Sequence, residues 1–487
     1  RALFERAARV IGLDVAGLDV LAPDIGLALT SAGGGIIEVN AAPGLRMHLQ
    51  PSSGRARDVA GPILEQLYPR GARSRVPIIA VTGTNGKSTT VRMIDHMLRR
   101  AGRRVGMTTT SGVYVDGCCI KSGDSSGPKS AKLVLEDPVV ETAVLETARG
   151  GILREGLAFD RADVGIVLNV AEDHLGLKGV DTIDDLARVK SVVVEHVSRR
   201  GASILNADDP LTLRMARQAR GRIAYFTLRG GSDLPAFLQK HLSEQGLVAA
   251  VEPSIYGGTL VLLDGARRIA LTEAADIPSA LGGAARFNLQ NAMAAALAAY
   301  VQGVPACAIA EGLRTFESSF EQNPGRLNLT TAPGFTTIVD YAHKPAALSA
   351  LGDLVGRLRE THRRVIGVVS IPGDRRDQDI RQMGRLAAEI FDDIIFRERP
   401  DGRGRHAGDV LTLLSDGALE AGAAADRILR VMDEHAAVDT ALKLAGKDDL
   451  VVLLPTAIEE VWRQVLSFRR DGDAAQGAAS GAEGPHV

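Results

Sequence analysis

Short apolar runs alternate with helical stretches over most of the chain, and the period of the apolar positions changes at each boundary. "PIIAVTG", "AVLE" and "VGIVLNV" are brief, rich in β-branched residues and punctuated by glycine. Continuous apolar runs of this length mark strands buried on both faces of a parallel sheet. Between them the period becomes helical, as at Val91, Ile94, Met97 or Leu98, and Ala101. "TIDDLARVKSVVVEHV" opens on a capping-box pair, Thr182 and Asp185, and carries a stripe of Ile183, Leu186, Ala187, Val193, Val194 and Val197. "ARFNLQNAMAAALAAYVQG" reads as a helix that stops near Gly303. This alternation predicts a doubly wound α/β core over residues 76–325 and a smaller α/β domain over 326–470, with "RVIGVVSIPG" and "DLVVLLPT" as its core strands. Residues 1–75 read differently, with "GLDVLAPDI", "GLALTS" and "GGIIEVN" as expected strands and an Arg-rich linker, "PRGARSRV", at the end. The small, polar tail at 471–487 is expected to be disordered.

Composition narrows the partners. The 487 residues suit roughly three domains. With 45% hydrophobic but only 4% aromatic residues, the chain suits helices on parallel sheets better than a β-sandwich. A net charge of −2, from 57 basic and 59 acidic residues, gives no overall attraction to nucleic acid or an anionic membrane, and neither is an expected partner. The Arg99-Arg100 and Arg103-Arg104 pairs are expected to be solvated at a helix end. No apolar run reaches the ~18 residues of a membrane span, and no signal peptide opens the chain. Cys118, Cys119 and Cys307 lack metal-ligand spacing, so a cytoplasmic protein with reduced thiols is expected. The chain opens on Arg1 partway into a helical pattern, as expected of a piece of something longer.

"VPIIAVTG" running into "GTNGKST" gives strand, Gly-rich loop, helix. That order gathers backbone N–H groups and a helix N-terminus around one anion. The residues are Gly83, Thr84, Asn85, Gly86, Lys87, Ser88 and Thr89. Gly83 and Gly86 allow close backbone approach, Lys87 can reach β- and γ-phosphates, and the Ser88 or Thr89 hydroxyl can bind Mg2+. The general phosphate motif has a glycine where Val81 stands.

Partners for a bound nucleotide are expected at the carboxyl ends of later strands. Glu146 ends "TAVLE" and can hold a metal, or be a surface carboxylate. Asp173 and His174 follow "VGIVLNVAE", where His174 suits a metal-ligand or acid/base role. Lys190 falls on an apolar stripe, so it is either buried and paired or modified, or lays its stem on the stripe with its head in water. Asn288 and Asn291 share one helix face and can read an adenine edge or serve as caps. Asp340, Tyr341, His343 and Lys344 follow a strand of the smaller domain and suit a ribose or acceptor contact, or ordinary turn chemistry.

"GTNGKST", "DHLG", "NADDP", "FNLQNA" and "DYAHKP" together resemble the Mur ligase superfamily, whose phosphate loop is "GTNGK"; Val81 is then a family form of the loop. "TTTSGVYVDG", "GDSSGPKSAKLVLEDP", "AVLETARGGILREGLAFDRADVGIVLNVAEDHLG", "NPGRLNL" and "PGDRRDQDI" are similar to the cyanophycin synthetase family, and "GGGIIEVNAAPGLRMHLQPSSG" resembles the end of its ATP-grasp module. The resemblance implies a Mur ligase-like central ATPase domain and C-terminal α/β domain after an incomplete ATP-grasp remnant. It implies an ATP-dependent ligase joining L-arginine to the β-carboxylate of aspartate in a poly-aspartate chain, through an acyl phosphate. ATP and Mg2+ are the implied cofactors, cyanophycin the polymer, and a homotetramer the assembly. By the same resemblance Ser88 or Thr89 and Glu146 hold one Mg2+ and His174 a second, and Lys190 matches a lysine that is carbamylated in several relatives. Asn288 and Asn291 would hold adenine, and Arg326 and Asp340 the phosphate or ribose. Asp374, Asp377 and Asp379 are candidate carboxylates for the arginine guanidinium. In the ATP-grasp remnant, Asp19, Glu38 and Asn40 are the implied metal ligands; the lid that module needs does not appear in the sequence, so the aspartate-adding step is not expected of this chain. The alternatives are another Mur-type ligase acting on a peptidoglycan precursor or folate, a synthetase polymerising ready-made Asp–Arg dipeptides, or a non-catalytic scaffold that binds nucleotide or polymer.

Overall fold

The computed structural model describes residues 1–29, 33–72, 74–173, 175–399 and 402–469, which form two compact units, Arg1–Val76 and the chain from Pro77 onward. The expected tail and His174 lie outside the described residues.

In the first unit β1 (Gly17–Leu21) and β2 (Gly35–Asn40) pair antiparallel, with Asp19 opposite Glu38. Residues two apart on a strand share a face, so Asp19, Glu38 and Asn40 stand on one side of the hairpin. The strand expected at "GLALTS" does not form over residues 26–28. Asp24 accepts the Gly26 N–H at 2.8 Å and turns the chain there, a local bond that outcompetes extension. No described residue of this unit is buried.

The second unit rests on two sheets. Among the described residues the larger has eleven strands. They are β3 (Ile78–Thr82), β4 (Val105–Thr109), β5 (Gly112–Val115), β6 (Cys118–Ser122), β7 (Thr142–Glu146), β8 (Ala162–Val167), β9 (Val197–Asn206), β10 (Arg222–Thr227), β11 (Leu247–Glu252), β12 (Thr259–Asp264) and β13 (Arg267–Glu273). Their order is β13-β12-β11-β10-β9-β8-β3-β7-β4-β5-β6. The strands from β11 to β4 run parallel, and an antiparallel pair flanks each side. Every residue of β3 and β7 is buried, which is why their runs are apolar without alternation. One face packs on the helices Lys87–Arg100 and Arg286–Val301, through residues such as Ile94, Leu98, Ala292 and Ala295. The other meets the helix Ile183–Glu195 through Leu186 and Val194. That helix begins with the expected capping box: Thr182 accepts the Asp185 N–H and Asp185 accepts the Thr182 N–H. After β3 the chain crosses to β4 on one side and later returns to β8 on the other, so the carboxyl end of β3 is a switch point, where a crevice opens.

The smaller sheet contains β14 (Asn328–Thr330), β15 (Thr336–Val339), β16 (Arg364–Val369), β17 (Asp393–Phe396), β18 (Ile428–Arg430) and β19 (Asp449–Leu453), in the order β14-β15-β19-β16-β17-β18. Only β14 pairs antiparallel among them. On one face the helices Asp377–Ile390 and Asp409–Glu420 touch backbone to backbone. A Cβ on Gly384 would lie 2.0 Å from the Leu414 carbonyl oxygen, and one on Gly417 2.1 Å from that of Arg381. Gly384→Ala is therefore expected to destabilise the fold by about 1–3 kcal/mol through overpacking. Thermal unfolding would register this as a lowered midpoint; an unchanged midpoint would mean the helices separate freely.

Candidate functional site

The loop after β3 is held from outside. Asn169, just beyond β8, accepts the Asn85 N–H at 2.9 Å through its side chain and returns a bond to the Asn85 carbonyl at 3.3 Å. Its own carbonyl takes the Thr84 N–H at 3.0 Å. The Thr84 hydroxyl donates to the Ala171 carbonyl at 3.1 Å and accepts the Ala171 N–H at 3.0 Å. Gly86 has φ +85°, and a Cβ there would lie 2.2 Å from Asn291 Oδ1, so only glycine fits. The following helix makes its first internal bond from the Thr90 N–H to Gly86, at 2.9 Å, leaving the N–H groups of Lys87, Ser88 and Thr89 at its open N-terminus.

Of the two loop hydroxyls, Ser88 is the one aimed at the carboxylate. Ser88 Oγ donates to Glu146 Oε2 at 2.7 Å, and the Thr110 N–H reaches the same oxygen at 3.2 Å. Thr89 instead accepts from Asn323 Nδ2 at 3.3 Å. Glu146 is 3% exposed, and its Oε1 has no hydrogen-bond partner among the described residues. A buried carboxylate oxygen left open beside a hydroxyl fits a hard divalent cation that draws its remaining ligands from water and phosphate. Among the described residues no three His, Cys, Asp or Glu side chains converge, and Ser88 with Glu146 is the pair beside the loop that fits Mg2+.

Cations crowd the same place. Lys87 Nζ rests on the carbonyls of Gly83 and Thr84 at 3.1 and 3.3 Å. Burial, then Lys344, lowers its pKa to about 8, against the pull of Glu146 and Asp173. Lys190 is 3% exposed, so of its two alternatives the buried one holds and its head does not reach water. Burial first, then Lys87 and Lys344, presses its pKa well below the usual lysine range. Lys344, from the smaller domain, pairs with Asp173 at 2.6 Å. Burial also lowers Arg149 and Arg375. With burial lowering the Lys87 pKa to about 8, an anion that needs the ammonium must draw a proton back above that pH. Affinity for ADP is therefore expected to be flat in this group below about pH 8 and to weaken by up to about tenfold per unit above it. Calorimetric titration across pH checks this, and Lys87→Arg should remove the step.

Asn288 and Asn291 are buried and bonded to one another, Asn291 Nδ2 donating to Asn288 Oδ1 at 3.0 Å, while Asn288 Nδ2 donates to the Ser279 carbonyl at 2.6 Å. The pair braces Gly86 and also borders the cleft. Arg326 Nη2 reaches Thr110 Oγ1 at 3.2 Å and Ser88 Oγ at 3.5 Å, and its guanidinium lies over the Tyr341 ring. Asp340 accepts the Leu327 N–H at 2.8 Å; burial raises its pKa, against Arg326. These groups and the loop line one cleft of about 380 Å3. The three candidate guanidinium carboxylates are already engaged by the chain's own arginines: Asp374 by Arg375 and Arg403, Asp377 by Arg405, and Asp379 by Arg376.

Residues 81–299 match the Mur ligase middle domain, and residues 325–457 match the Mur ligase glutamate ligase domain. The chain belongs to the Mur ligase family. This Mur ligase is 48% identical over 460 residues to a protein named cyanophycin synthetase from Synechocystis, covering 94% of the chain and 51% of that protein. It is 46% identical over 456 residues to the cyanophycin synthetase of Crocosphaera subtropica, at the same coverages of 94% and 51%. The chain thus spans about half the length of these relatives. In fold it is similar to the Mycobacterium tuberculosis folylpolyglutamate synthase complexed with ADP and AMPPCP, with a TM-score of 0.58 and 18% identity, over 83% of this chain and 94% of that one.

Four contributors to the Mur ligase site escape sequence reasoning. Asn169 clamps the loop, Thr110 orients Glu146, and Arg149 and Arg375 join the cation cluster. The signal for Asn169 was a lone polar residue closing the apolar run "VGIVLN", at the strand end where ligands gather.

Proposed function

We propose that this Mur ligase uses ATP to activate a carboxylate and joins L-arginine to the β-carboxylate of aspartate in a poly-aspartate chain. The carboxylate oxygen takes the γ-phosphoryl group of ATP, and ADP leaves. The arginine α-amine then attacks the acyl phosphate carbon, gives up a proton and expels phosphate, leaving an amide. Phosphoryl transfer needs positioning and positive charge more than covalent protein chemistry. Lys87 and the helix N-terminus would hold the phosphates, with Arg326 reaching over from the smaller domain. Ser88 and Glu146 would hold Mg2+, which would supply positive charge to the transferring phosphoryl group. Burial lowers the Lys190 pKa, which favours the neutral amine that CO2 needs, and as a carbamate it would add an anion to the cationic cluster. The first unit reads as the end of an ATP-grasp module, with Asp19, Glu38 and Asn40 toward its metals.

The observation that carries the ligase reading is the buried, open Glu146 oxygen beside a phosphate loop ringed with depressed cations. The choice of substrate rests on likeness to relatives named cyanophycin synthetase. The test is ADP release from ATP with an aspartate-rich acceptor peptide, with and without arginine. Stimulation by arginine is expected; stimulation instead by a muramoyl peptide or a folate with its amino acid would overturn the substrate.

A further inference from the structure

Beside the nucleotide cleft lies a second cavity of about 220 Å3, which shares His343, Lys344 and Arg375 with it. Its lining is charged in both senses. Glu172, Asp173 and Asp379 bring carboxylates, and Lys344 and Arg375 bring cations. Asp173 is committed to Lys344. The other two carboxylates already grip a guanidinium. Arg376 donates from Nε to Asp379 Oδ2 at 2.8 Å and from Nη2 to Asp379 Oδ1 at 2.7 Å, and Nη2 also reaches Glu172 Oε2 at 3.1 Å. That is a bidentate fork closed by a second acid across the two domains. The side chain of Arg376 is 33% exposed, so it can leave toward water. Asp374 and Asp377 hold other arginines and do not border this cavity.

We propose that Asp379 and Glu172 form the recognition site for the guanidinium of the incoming amino acid, which displaces the chain's own Arg376 from them. The proposal rests on the arginine-ligase reading above. The exchange swaps one guanidinium for another on the two carboxylates, and Arg376, already one-third exposed, passes to water. A planar fork satisfies both Asp379 oxygens together, whereas the point charge of lysine cannot, and this gives selectivity by shape. Arg375 and Lys344 also line the cavity, each already paired, with Asp374 and Asp173, so an α-carboxylate would join those pairs and not meet a bare cation. An amino acid with a basic guanidinium tail is the ligand this bipolar cavity fits.

The test uses the full chain and steady-state ADP release with an aspartate-rich acceptor. Asp379→Asn and Glu172→Gln are each expected to raise KM for arginine about tenfold, while KM for ATP moves less than twofold. The preference for arginine over lysine should shrink with the same variants, and Arg376→Gln, which vacates the carboxylates, should lower KM for arginine. If Asp379→Asn fails to fold by circular dichroism, Glu172→Gln, on an exposed side chain, decides alone. Unchanged arginine KM and unchanged arginine-to-lysine preference in an active protein would overturn this assignment and leave the ligase reading standing. A wild-type chain with no arginine-dependent turnover would instead overturn both.

Discussion

Lys87→Ala is expected to reduce arginine-dependent ADP release by roughly 10²–10⁵-fold. The ammonium sits on two loop carbonyls at the mouth of the helix, where its charge would meet the transferring phosphoryl group. Because burial first, and then Lys344, disfavours the ammonium there, removing it takes away a desolvated charge. The variant should therefore fold at least as stably as the parent, and the loss should fall on kcat and nucleotide affinity. Coupled-assay kinetics beside a thermal melt separate these effects. A variant that keeps full turnover would remove the loop from the chemistry.

Glu146→Gln is expected to lower turnover by about 10²-fold or more, by taking the anion from the site proposed for a divalent cation. Glutamine keeps the shape, and its carbonyl can still accept from Ser88 and Thr110. The loss should therefore be largest at low Mg2+, and the Mg2+ concentration for half-maximal rate should rise. A rate and Mg2+ dependence like those of the parent would show that Oε1 is open for another reason.

Much of this was legible because strand burial and loop chemistry leave local marks. β3 and β7 carry apolar runs since both faces are covered, and the turn between β3 and its helix takes a positive φ at Gly86, which the motif's glycine signals. The capping box at Thr182 is a four-residue code, complete within its own segment. The misses are long-range or local exceptions. The run "GLALTS" has strand composition, but Asp24 turns the chain first. Asn169 and Thr110 act on residues 84 and 36 positions away, a distance no periodicity encodes. The aspartates of "PGDRRDQD" looked equivalent in sequence, and only the fold shows that each has a different arginine, with one of the three on a cavity.

The grip of Asn169 on Thr84 and Asn85 has a thermodynamic consequence. A loop already tied to its neighbour strand has little conformational freedom left to surrender when a polyphosphate arrives. Nucleotide association should then show a small heat-capacity change and a modest entropic penalty, and cutting those ties with Asn169→Ala should convert the same contacts into a weaker, more entropy-opposed event.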